Sequence, residues 1–121
     1  MIYKVGMLCK HFKGKTLEEK NIYKIIQLGI LGKDIDESQI KNTGDGELQT
    51  AENLVVYANI FQENKLFARE YEDISSELSV EKQQQFFQKL KVQPLTEEEI
   101  LIINDPAFIK TKQIMTAEKF Q

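Results

Sequence analysis

Two runs of β-forming residues, separated by a short polar break, form the clearest hydrophobic pattern in the chain. The first run covers residues 53–61 and the second covers residues 65–73, with Gln-Glu-Asn between them. Runs of this length around a short turn predict an antiparallel hairpin. The first run is apolar on both faces, which is typical of a central strand covered on both sides. The second run places Arg69 on the same side as Phe67 and Tyr71.

Two more strands are predicted ahead of this hairpin. Residues 2–12 are rich in β-forming types and stop at the Lys13-Gly14 pair, a combination that favours a turn. Residues 21–30 alternate with the period of a strand. One predicted face carries Ile22, Lys24, Ile26, Leu28 and Ile30, and the other carries Tyr23, Ile25 and Gln27. Residues 31–52 have no period and many Gly, Asp and Asn residues, so they predict a long polar loop.

The pattern becomes helical after residue 75. Ser79 is a predicted N-cap, and Pro94 ends the helical run that follows it. The apolar stripe predicted for that run consists of Val80, Phe86, Phe87 and Leu90. Thr96 and Glu99 have the spacing of a capping box, which predicts a short helix through Ile103.

A last helix is predicted to begin at Asp105-Pro106, where an N-cap precedes a proline in the first helical position. Its predicted inward side chains are Phe108 and Ile109, with Ile114 and Met115 as further candidates. Strands followed by helices indicate an α+β fold. We expect a small antiparallel β-sheet or a partly open SH3-like barrel of about four strands over residues 2–74, followed by two or three helices. The predicted domains are a β-rich unit, residues 1–77, and a helical extension, residues 78–121, that packs on it or contacts partners.

Size and composition are those of one ordinary globular domain. The chain has 121 residues, of which 41% are hydrophobic and 29% are charged. No apolar run approaches the ~20 residues that span a bilayer, and the first residues lack the apolar stretch of a signal peptide. The single cysteine, Cys9, has no partner for an internal disulfide. Together these features predict a cytoplasmic protein that does not contact a membrane.

Charge is unevenly distributed, although the net charge is only −3. Residues 1–33 have a net charge of +5, whereas residues 34–81 have a net charge of −9. The basic segment could form a face for a partner. We favour the alternative, in which the N-terminal strands pair with the acidic middle of the same fold. The negative total argues against a general nucleic-acid binder.

Four short motifs resemble a bacterial domain family. They are His11-Phe12-Lys13-Gly14, Tyr23 within a strand, Val55-Val56-Tyr57 and Leu66-Phe67-Ala68-Arg69. Over roughly residues 4–74 the chain is similar to a small family known only as a domain of unknown function, whose members open with H-F-K-G and carry V-V-Y ahead of a W-V-R-P type strand. The resemblance implies a compact β-rich bacterial domain and no established activity. The chain departs from that pattern at Phe67-Ala68, where Trp-Val is usual, at Glu70, where Pro is usual, and in the length of residues 31–52.

Cys9 and His11 are the only residues of their types, and a strand places them on the same face. A thiol beside an imidazole is the minimum for a nucleophile and its base, so a cysteine-dependent hydrolase or transferase is one hypothesis. We favour the alternative that Cys9 is a buried core residue and that His11 forms a local hydrogen bond. The acidic stretch 34–47 lacks the spacing of a calcium loop, and its glycines lack the context of a phosphate-binding loop. No catalytic residue, metal ligand or cofactor is therefore predicted.

Arg69 is the strongest candidate for a binding residue. An arginine among ring side chains must reach solvent, pair with an acid or bind an anionic ligand, and we favour the ion pair. The candidate ligand-binding residues are His11, Lys13, Tyr23, Tyr57 and Arg69. The predicted function is a non-enzymatic protein-interaction or regulatory module that binds a protein partner or a second copy of itself. The alternatives are a domain that binds a nucleotide or RNA through these residues and, more remotely, the cysteine-dependent enzyme.

Overall fold

Six strands and four helices make up the part of the chain that the structure describes. The structure is a computed structural model, and it describes residues 3–29, 42–43, 54–62 and 65–119. The strands are β1 (Leu8–His11), β2 (Ile22–Gly29), β3 (Asn42–Thr43), β4 (Leu54–Asn59), β5 (Leu66–Glu70) and β6 (Val92–Pro94). The helices are α1 (Tyr71–Ile74), α2 (Val80–Phe86), α3 (Glu97–Ile103) and α4 (Pro106–Lys119). The predicted α+β fold class is confirmed.

The strands form one open sheet in the order β3-β5-β4-β2-β1-β6. Neighbouring strands are antiparallel, except that the two residues of β3 pair with β5 in parallel. Within the described residues the edge strands β3 and β6 do not pair, so the sheet does not close into a barrel. The predicted hairpin is β4 and β5, and its register places Val55 opposite Arg69 and Tyr57 opposite Phe67. β4 lies inside the sheet, as its apolar pattern predicts.

The alternation predicted for β2 holds only in its first half. Tyr23 and Ile25 are buried on one face, and Ile22 is buried on the other. The pairing of β2 with β4 becomes irregular directly after Ile25. Such a bulge inserts one extra residue, and the faces are exchanged beyond it. Leu28 therefore packs against the same core as Tyr23 and Ile25, and Ile26, predicted to lie with Ile22, is exposed.

The sheet is covered on both faces. The first core consists of Tyr3, Cys9, Tyr23, Ile25, Val55, Tyr57, Ile74 and Val92. The second core consists of Ile22, Leu95, Ile103 and Phe108. Because neighbouring residues of a strand point to opposite faces, the first core lies on the face covered by α1 and the second on the face covered by α3 and α4.

The predicted first strand is shorter in the structure, because the chain turns before it. β1 begins only at Leu8, and Gly6 has a φ of 88°, a left-handed conformation that glycine adopts without steric cost. Tyr3 is nonetheless fully buried. Its hydroxyl oxygen lies 3.0 Å from the carbonyl oxygen of Ile74 and 2.6 Å from that of Val92. The hydroxyl donates to one of them at a time, and it links the N-terminal segment to α1 and β6.

The apolar stripe predicted for α2 is wrong. The hydroxyl of Ser79 caps the helix as predicted, because it accepts a hydrogen bond from the Lys82 N–H at 3.2 Å. The helix ends at Phe86, since Phe87 has a left-handed φ of 54°. A helix of this length has few positions to turn inward, and none of its residues is fully buried. Val80 and Phe87 are 72% and 71% exposed.

A strand that the sequence pattern does not predict follows α2. β6 ends at Pro94 and pairs with β1, with Val92 opposite His11 and Gln93 opposite Lys10. Proline is tolerated here because β6 is an edge strand. The segment predicted to be a helical extension therefore also contributes to the sheet.

The last two helices begin as predicted. The Thr96 hydroxyl accepts from the Glu99 N–H at 3.1 Å, and the Glu99 carboxylate accepts from the Thr96 N–H at 3.0 Å. The Asp105 carboxylate accepts an N–H of the first turn of α4 at 2.8 Å. Phe108 is buried as predicted, whereas Ile114 is half exposed because it lies on the outer side of α4.

Buried lysine side chains connect the helices to the sheet and to the segment between β1 and β2. Lys10 on β1 forms an ion pair with Glu99 on α3, and their nitrogen and oxygen atoms are 2.5 Å apart. Lys112 on α4 donates to the carbonyl oxygen of Glu18 at 2.6 Å and also to that of Lys20. Lys20 in turn donates to two carbonyl oxygens, at 2.8 and 3.0 Å. Their burial is tolerated because each ammonium group is hydrogen-bonded.

The long loop predicted for residues 31–52 lies almost entirely outside the described residues, and so does its acidic stretch. Asn42 and Thr43, which the structure describes, form β3 instead of loop. No helix in the described part of the chain is long and apolar enough to cross a membrane. The described residues also contain no group of three or more His, Cys, Asp or Glu side chains placed to hold a metal ion.

Candidate functional site

A pocket of about 230 Å³ opens on the face of the sheet that carries the first core. Its walls come from β1, β2, β4, β5, the segment around β6, and α1. The lining residues are His11, Tyr23, Tyr57, Phe67, Arg69, Asp73, Ile74, Lys91 and Val92. These residues are far apart in the sequence, so the pocket exists only after the sheet has assembled.

Three rings form one wall of the pocket. Tyr57 and Phe67 face each other across the β4–β5 pair, with centroids 5.5 Å apart and planes inclined by 17°. Tyr23 on the neighbouring strand lies 4.7 Å from the Tyr57 ring and 5.7 Å from the Phe67 ring. Rings in mutual contact at these distances attract each other, and Tyr23 and Tyr57 are almost fully buried. The contacts among the three rings therefore hold this wall together in the folded protein.

Arg69 brings positive charge to this aromatic wall. It lies two residues after Phe67 on β5, so both side chains point to the same face. One guanidinium N–H group donates to the carbonyl oxygen of Ala68 at 2.9 Å. Burial raises the pKa of Tyr57, and the positive charge of Arg69 partly offsets that rise. Burial likewise raises the pKa of Tyr23, where Arg69 has the same opposing effect. The guanidinium is therefore electrostatically close to both phenols.

An ion pair lies beside Arg69 in the lining of the pocket. Lys91, directly before β6, and Asp73, on α1, are 2.9 Å apart and are 35% and 48% exposed. Ion pairs with this much solvent contact contribute little to stability. With Arg69 and Lys91 positive and Asp73 negative, the lining carries one net positive charge while His11 is neutral.

His11 contributes a neutral imidazole to the pocket. Burial, together with the positive charges of Lys13, Lys91 and Lys20, lowers the pKa of His11 to about 4. Its Nδ1 accepts a hydrogen bond from the Lys13 N–H at 3.4 Å, so in the neutral ring the proton is assigned to Nε2. His11 therefore acts as a hydrogen-bond donor without adding charge, and it also contacts the Tyr23 ring edge to face, at 6.4 Å.

Four of the five residues predicted to bind a ligand line this one pocket: His11, Tyr23, Tyr57 and Arg69. The fifth, Lys13, does not line it. Its side chain is exposed, and its contact with His11 comes from its backbone N–H.

The other lining residues are absent from the predicted set. Phe67 shares its face of β5 with Arg69, so the strand period could have identified it. Lys91 and Val92 reach the pocket only through the pairing of β6 with β1. Asp73 and Ile74 reach it through α1, the short helix that directly follows β5. No local sequence signal marks these four residues as neighbours of His11.

Cys9 lies in the first core and does not line the pocket. Burial raises the pKa of its thiol to about 12. The thiolate is the reactive form of cysteine, and a nucleophilic cysteine needs its pKa lowered. The buried position of Cys9 instead favours the unreactive thiol form, which argues against the hypothesis of a cysteine-dependent enzyme.

Comparisons of the chain with protein-family models, with curated proteins and with solved structures found no match. The resemblance to a domain of unknown function therefore stays a prediction.

Proposed function

We propose that the protein is a non-enzymatic protein-interaction module whose pocket receives an acidic group of a partner protein. The observation that carries this proposal is the pocket, where Arg69 and Lys91 lie beside three packed rings. Arginine suits this task because its planar fork binds a carboxylate through two parallel hydrogen bonds. Such a site needs complementary shape and charge but no reacting group.

Exposed apolar side chains support a protein as the partner. Leu101 and Ile102 are adjacent on α3, and both are in contact with solvent, as is Phe87 after α2. Neighbouring apolar side chains that folding leaves exposed, such as the Leu101-Ile102 pair, can be covered by a partner. A second copy of the chain is the other partner that such a surface fits.

The environment of Cys9 supports a function without covalent chemistry. Its thiol is fully buried, and its raised pKa keeps it protonated at neutral pH. A lone buried thiol also fits a reducing compartment, and we propose the cytoplasm of a bacterium as the location.

A nucleotide or RNA is the second candidate ligand, because rings beside a guanidinium group are also used to bind nucleobases. Bases stack on ring faces that are open to solvent. Tyr23 and Tyr57 are only 6% and 5% exposed, and Phe67 is packed against both of them. This arrangement favours an acidic group that enters the pocket over a base that stacks on the surface.

Affinity capture tests the proposed function. Wild-type protein and two charge-removing variants would each be immobilised, and bound proteins from bacterial cytoplasm would be identified by mass spectrometry. Arg69→Gln removes the charge inside the pocket, and Lys13→Gln, the matched control, removes an exposed charge outside it. We expect a protein that wild type and Lys13→Gln retain and that Arg69→Gln loses. An identical set of proteins on all three would contradict the proposal.

Titration with RNA at low salt distinguishes the nucleic-acid alternative from a protein partner. Binding to phosphates weakens steeply as salt is added, because counterions are released. Salt-sensitive RNA binding that Arg69→Ala abolishes would favour the second candidate over a protein partner.

A further inference from the structure

We propose that the outer sides of α3 and α4 form a self-complementary surface on which a second copy of the chain docks around a two-fold axis. The residues of this α3–α4 surface that carry the proposal are Glu97, Glu98, Leu101, Ile102, Lys110 and Ile114. The surface lies on the face of the sheet opposite the pocket. The proposal therefore goes beyond the function proposed above and does not depend on Arg69.

The outer side of α3 is apolar at the end of the helix. Leu101 and Ile102 are 74% and 47% exposed, whereas Ile103 is buried in the second core. Successive residues of an α-helix are rotated by about 100°, so the exposed positions of α3 occupy one continuous side. They are Glu97, Glu98, Leu101 and Ile102. This side is acidic in the first turn and apolar in the last.

The outer side of α4 also differs from that of an ordinary surface helix. A helix that covers a core usually keeps its charged side chains outside, but α4 buries Lys112 and leaves Ile114 50% exposed. The exposed positions on the side opposite Phe108 and Lys112 are Ala107, Lys110, Thr111, Ile114 and Ala117. Among them Lys110 is the one charged residue, so this side carries a basic group in otherwise uncharged surroundings.

The two outer sides face solvent in the same direction. Ile103 of α3 and Phe108 of α4 pack into the same core on one face of the sheet. Only residues 104 and 105 separate the two helices. Because both helices turn their inner sides to one sheet face, their outer sides form a single surface, with Leu101 and Ile102 beside the connection between the helices.

The charges of the α3–α4 surface select a second copy as its occupant. Within the part of the chain that the structure describes, Glu97, Glu98 and Lys110 form no ion pair. In a two-fold interface the same patch of both copies meets, so that each contact occurs twice. A two-fold axis through the apolar residues places the acidic start of α3 against Lys110 of the other copy, at both ends of the interface. Opposite charges on one patch are what such self-pairing requires.

The size of the surface predicts a weak dimer. The helices have 7 and 14 residues, which gives lengths of roughly 10 and 21 Å and a width of about 10 Å each. Two such strips offer less than the ~800 Å² that a standard interface buries on each partner. We therefore expect an equilibrium between monomer and dimer that depends on concentration.

A dimer formed through this surface leaves both pockets open. The pocket lies on the sheet face that carries the first core, and the interface lies on the face covered by α3 and α4. The dimer thus presents two pockets that point away from the interface. Two sites on one assembly raise the strength of binding to a partner that can reach both of them.

Sedimentation equilibrium of the full chain measures this self-association. We expect the average mass to rise from 14.1 kDa towards twice that value as the concentration increases from about 10 µM to about 1 mM. A mass that stays at 14.1 kDa over this range would overturn the proposal. Growth beyond two copies would also overturn it, because a two-fold interface closes on itself.

Substitution of an exposed apolar side chain locates the interface. Leu101→Gln should weaken the dimer at least about tenfold, or about 1.4 kcal/mol, because a two-fold interface loses the side chain twice. Val80→Gln is the matched control, since Val80 on α2 is 72% exposed and lies outside the surface. The control should change the dissociation constant less than about twofold. Equal dimerisation of wild type and Leu101→Gln would overturn the assignment of the surface.

Charge reversal tests the pairing between copies. Lys110→Glu, and separately the double variant Glu97→Lys, Glu98→Lys, should each weaken the dimer, because like charges then meet at both ends of the interface. In an equimolar mixture of the two variants, a mixed dimer has opposite charges at both ends. The mixture should therefore dimerise more strongly than either variant alone. A mixture that stays as monomeric as its components would overturn the proposed pairing.

Two further outcomes distinguish this proposal from the function proposed above. Arg69→Gln should dimerise like wild type even when it loses a captured partner, because the pocket lies outside the α3–α4 surface. Loss of the dimer in Arg69→Gln would overturn the surface assigned here. A monomeric wild type that captures a protein which Leu101→Gln loses and Val80→Gln retains would replace the second copy with a different partner.

Discussion

The protonation of His11 should make the protein lose stability in mild acid. In the folded protein, burial and the positive charges of Lys13, Lys91 and Lys20 oppose protonation of the ring. The net result is a pKa of about 4, against an ordinary value of 6.5. Between these two pH values the unfolded chain binds the proton and the folded chain does not. Stability therefore falls as the pH drops from 6.5 towards 4, and this loss is absent above 6.5.

The magnitude follows from the difference between the two pKa values. A difference of one pKa unit corresponds to 1.36 kcal/mol, so the span from 6.5 to about 4 gives an upper limit of about 3 kcal/mol. Solvent at the mouth of the pocket screens part of this interaction. We expect His11 to account for about 2 kcal/mol of the free energy of unfolding that is lost between about pH 7 and about pH 4.5.

The assay compares wild type with His11→Phe by urea denaturation at both pH values. Phenylalanine cannot titrate, yet its ring can keep the contacts with Phe12 and Tyr23. Carboxyl groups that titrate in acid do so in both proteins, so the difference between the two pH dependences isolates the imidazole. Because the chain has one histidine, its ring proton signals also report the folded pKa directly by NMR.

Two results would refute this reasoning. One is an equal loss of stability in wild type and His11→Phe, which would mean that the ring titrates normally in the folded state. The other is an NMR titration midpoint near 6.5. Lys13→Gln is the control for the effect of the lysine charges on the pKa of His11. It should raise the midpoint of the His11 titration, because it removes one nearby positive charge.

Three further predictions concern stability, each measured by urea denaturation near neutral pH. Phe87→Gly should stabilise the protein by about 1 kcal/mol, because glycine adopts a left-handed φ without steric cost. The side chain that is lost is mostly exposed. A lower free energy of unfolding in the variant would indicate that the Phe87 ring makes stabilising contacts. Tyr3→Phe should lower the free energy of unfolding by about 1–3 kcal/mol, because it removes the hydroxyl that donates to one of two buried carbonyl oxygens. An unchanged free energy of unfolding would mean that a water molecule replaces this hydrogen bond. Glu99→Gln should lower the free energy of unfolding by about 3 kcal/mol, because it leaves the Lys10 ammonium group buried without its negative partner. Burial opposes ionisation of Glu99, but hydrogen bonds from Lys10 and Thr96 lower its pKa overall, so the difference between wild type and variant should shrink as the pH falls through that pKa. A difference that is constant down to strong acid would contradict the ion pair.

Local sequence signals predicted the elements whose partners lie close along the chain. The hairpin of β4 and β5 was identified because two β-forming runs flank a short polar break, and its pairing is as expected. The caps at Ser79 and Thr96 and the proline at the start of α4 were also identified, since each depends on residues within one helical turn. In each case the determining contacts span only a few residues.

The same signals failed where a distant contact outweighs the local pattern. The sequence around Phe87 predicts a helix, but the chain leaves the helical conformation at this residue. It then continues into β6, which pairs with β1. The bulge after Ile25 also reverses the faces of β2, and it depends on the register with β4, not on the residues of β2 alone. Pairing between strands is decided by the whole sheet.

The amino-acid sequence alone determined the fold class, most helix starts and four side chains that line the pocket, because strand and helix periods and capping preferences are properties of short segments. Only the tertiary structure decided that Lys91 and Val92 complete the pocket beside His11, and that Lys10 and Lys112 are buried. The physical reason is that a charge can be buried only where a partner from elsewhere in the chain satisfies it, and no short segment contains that partner.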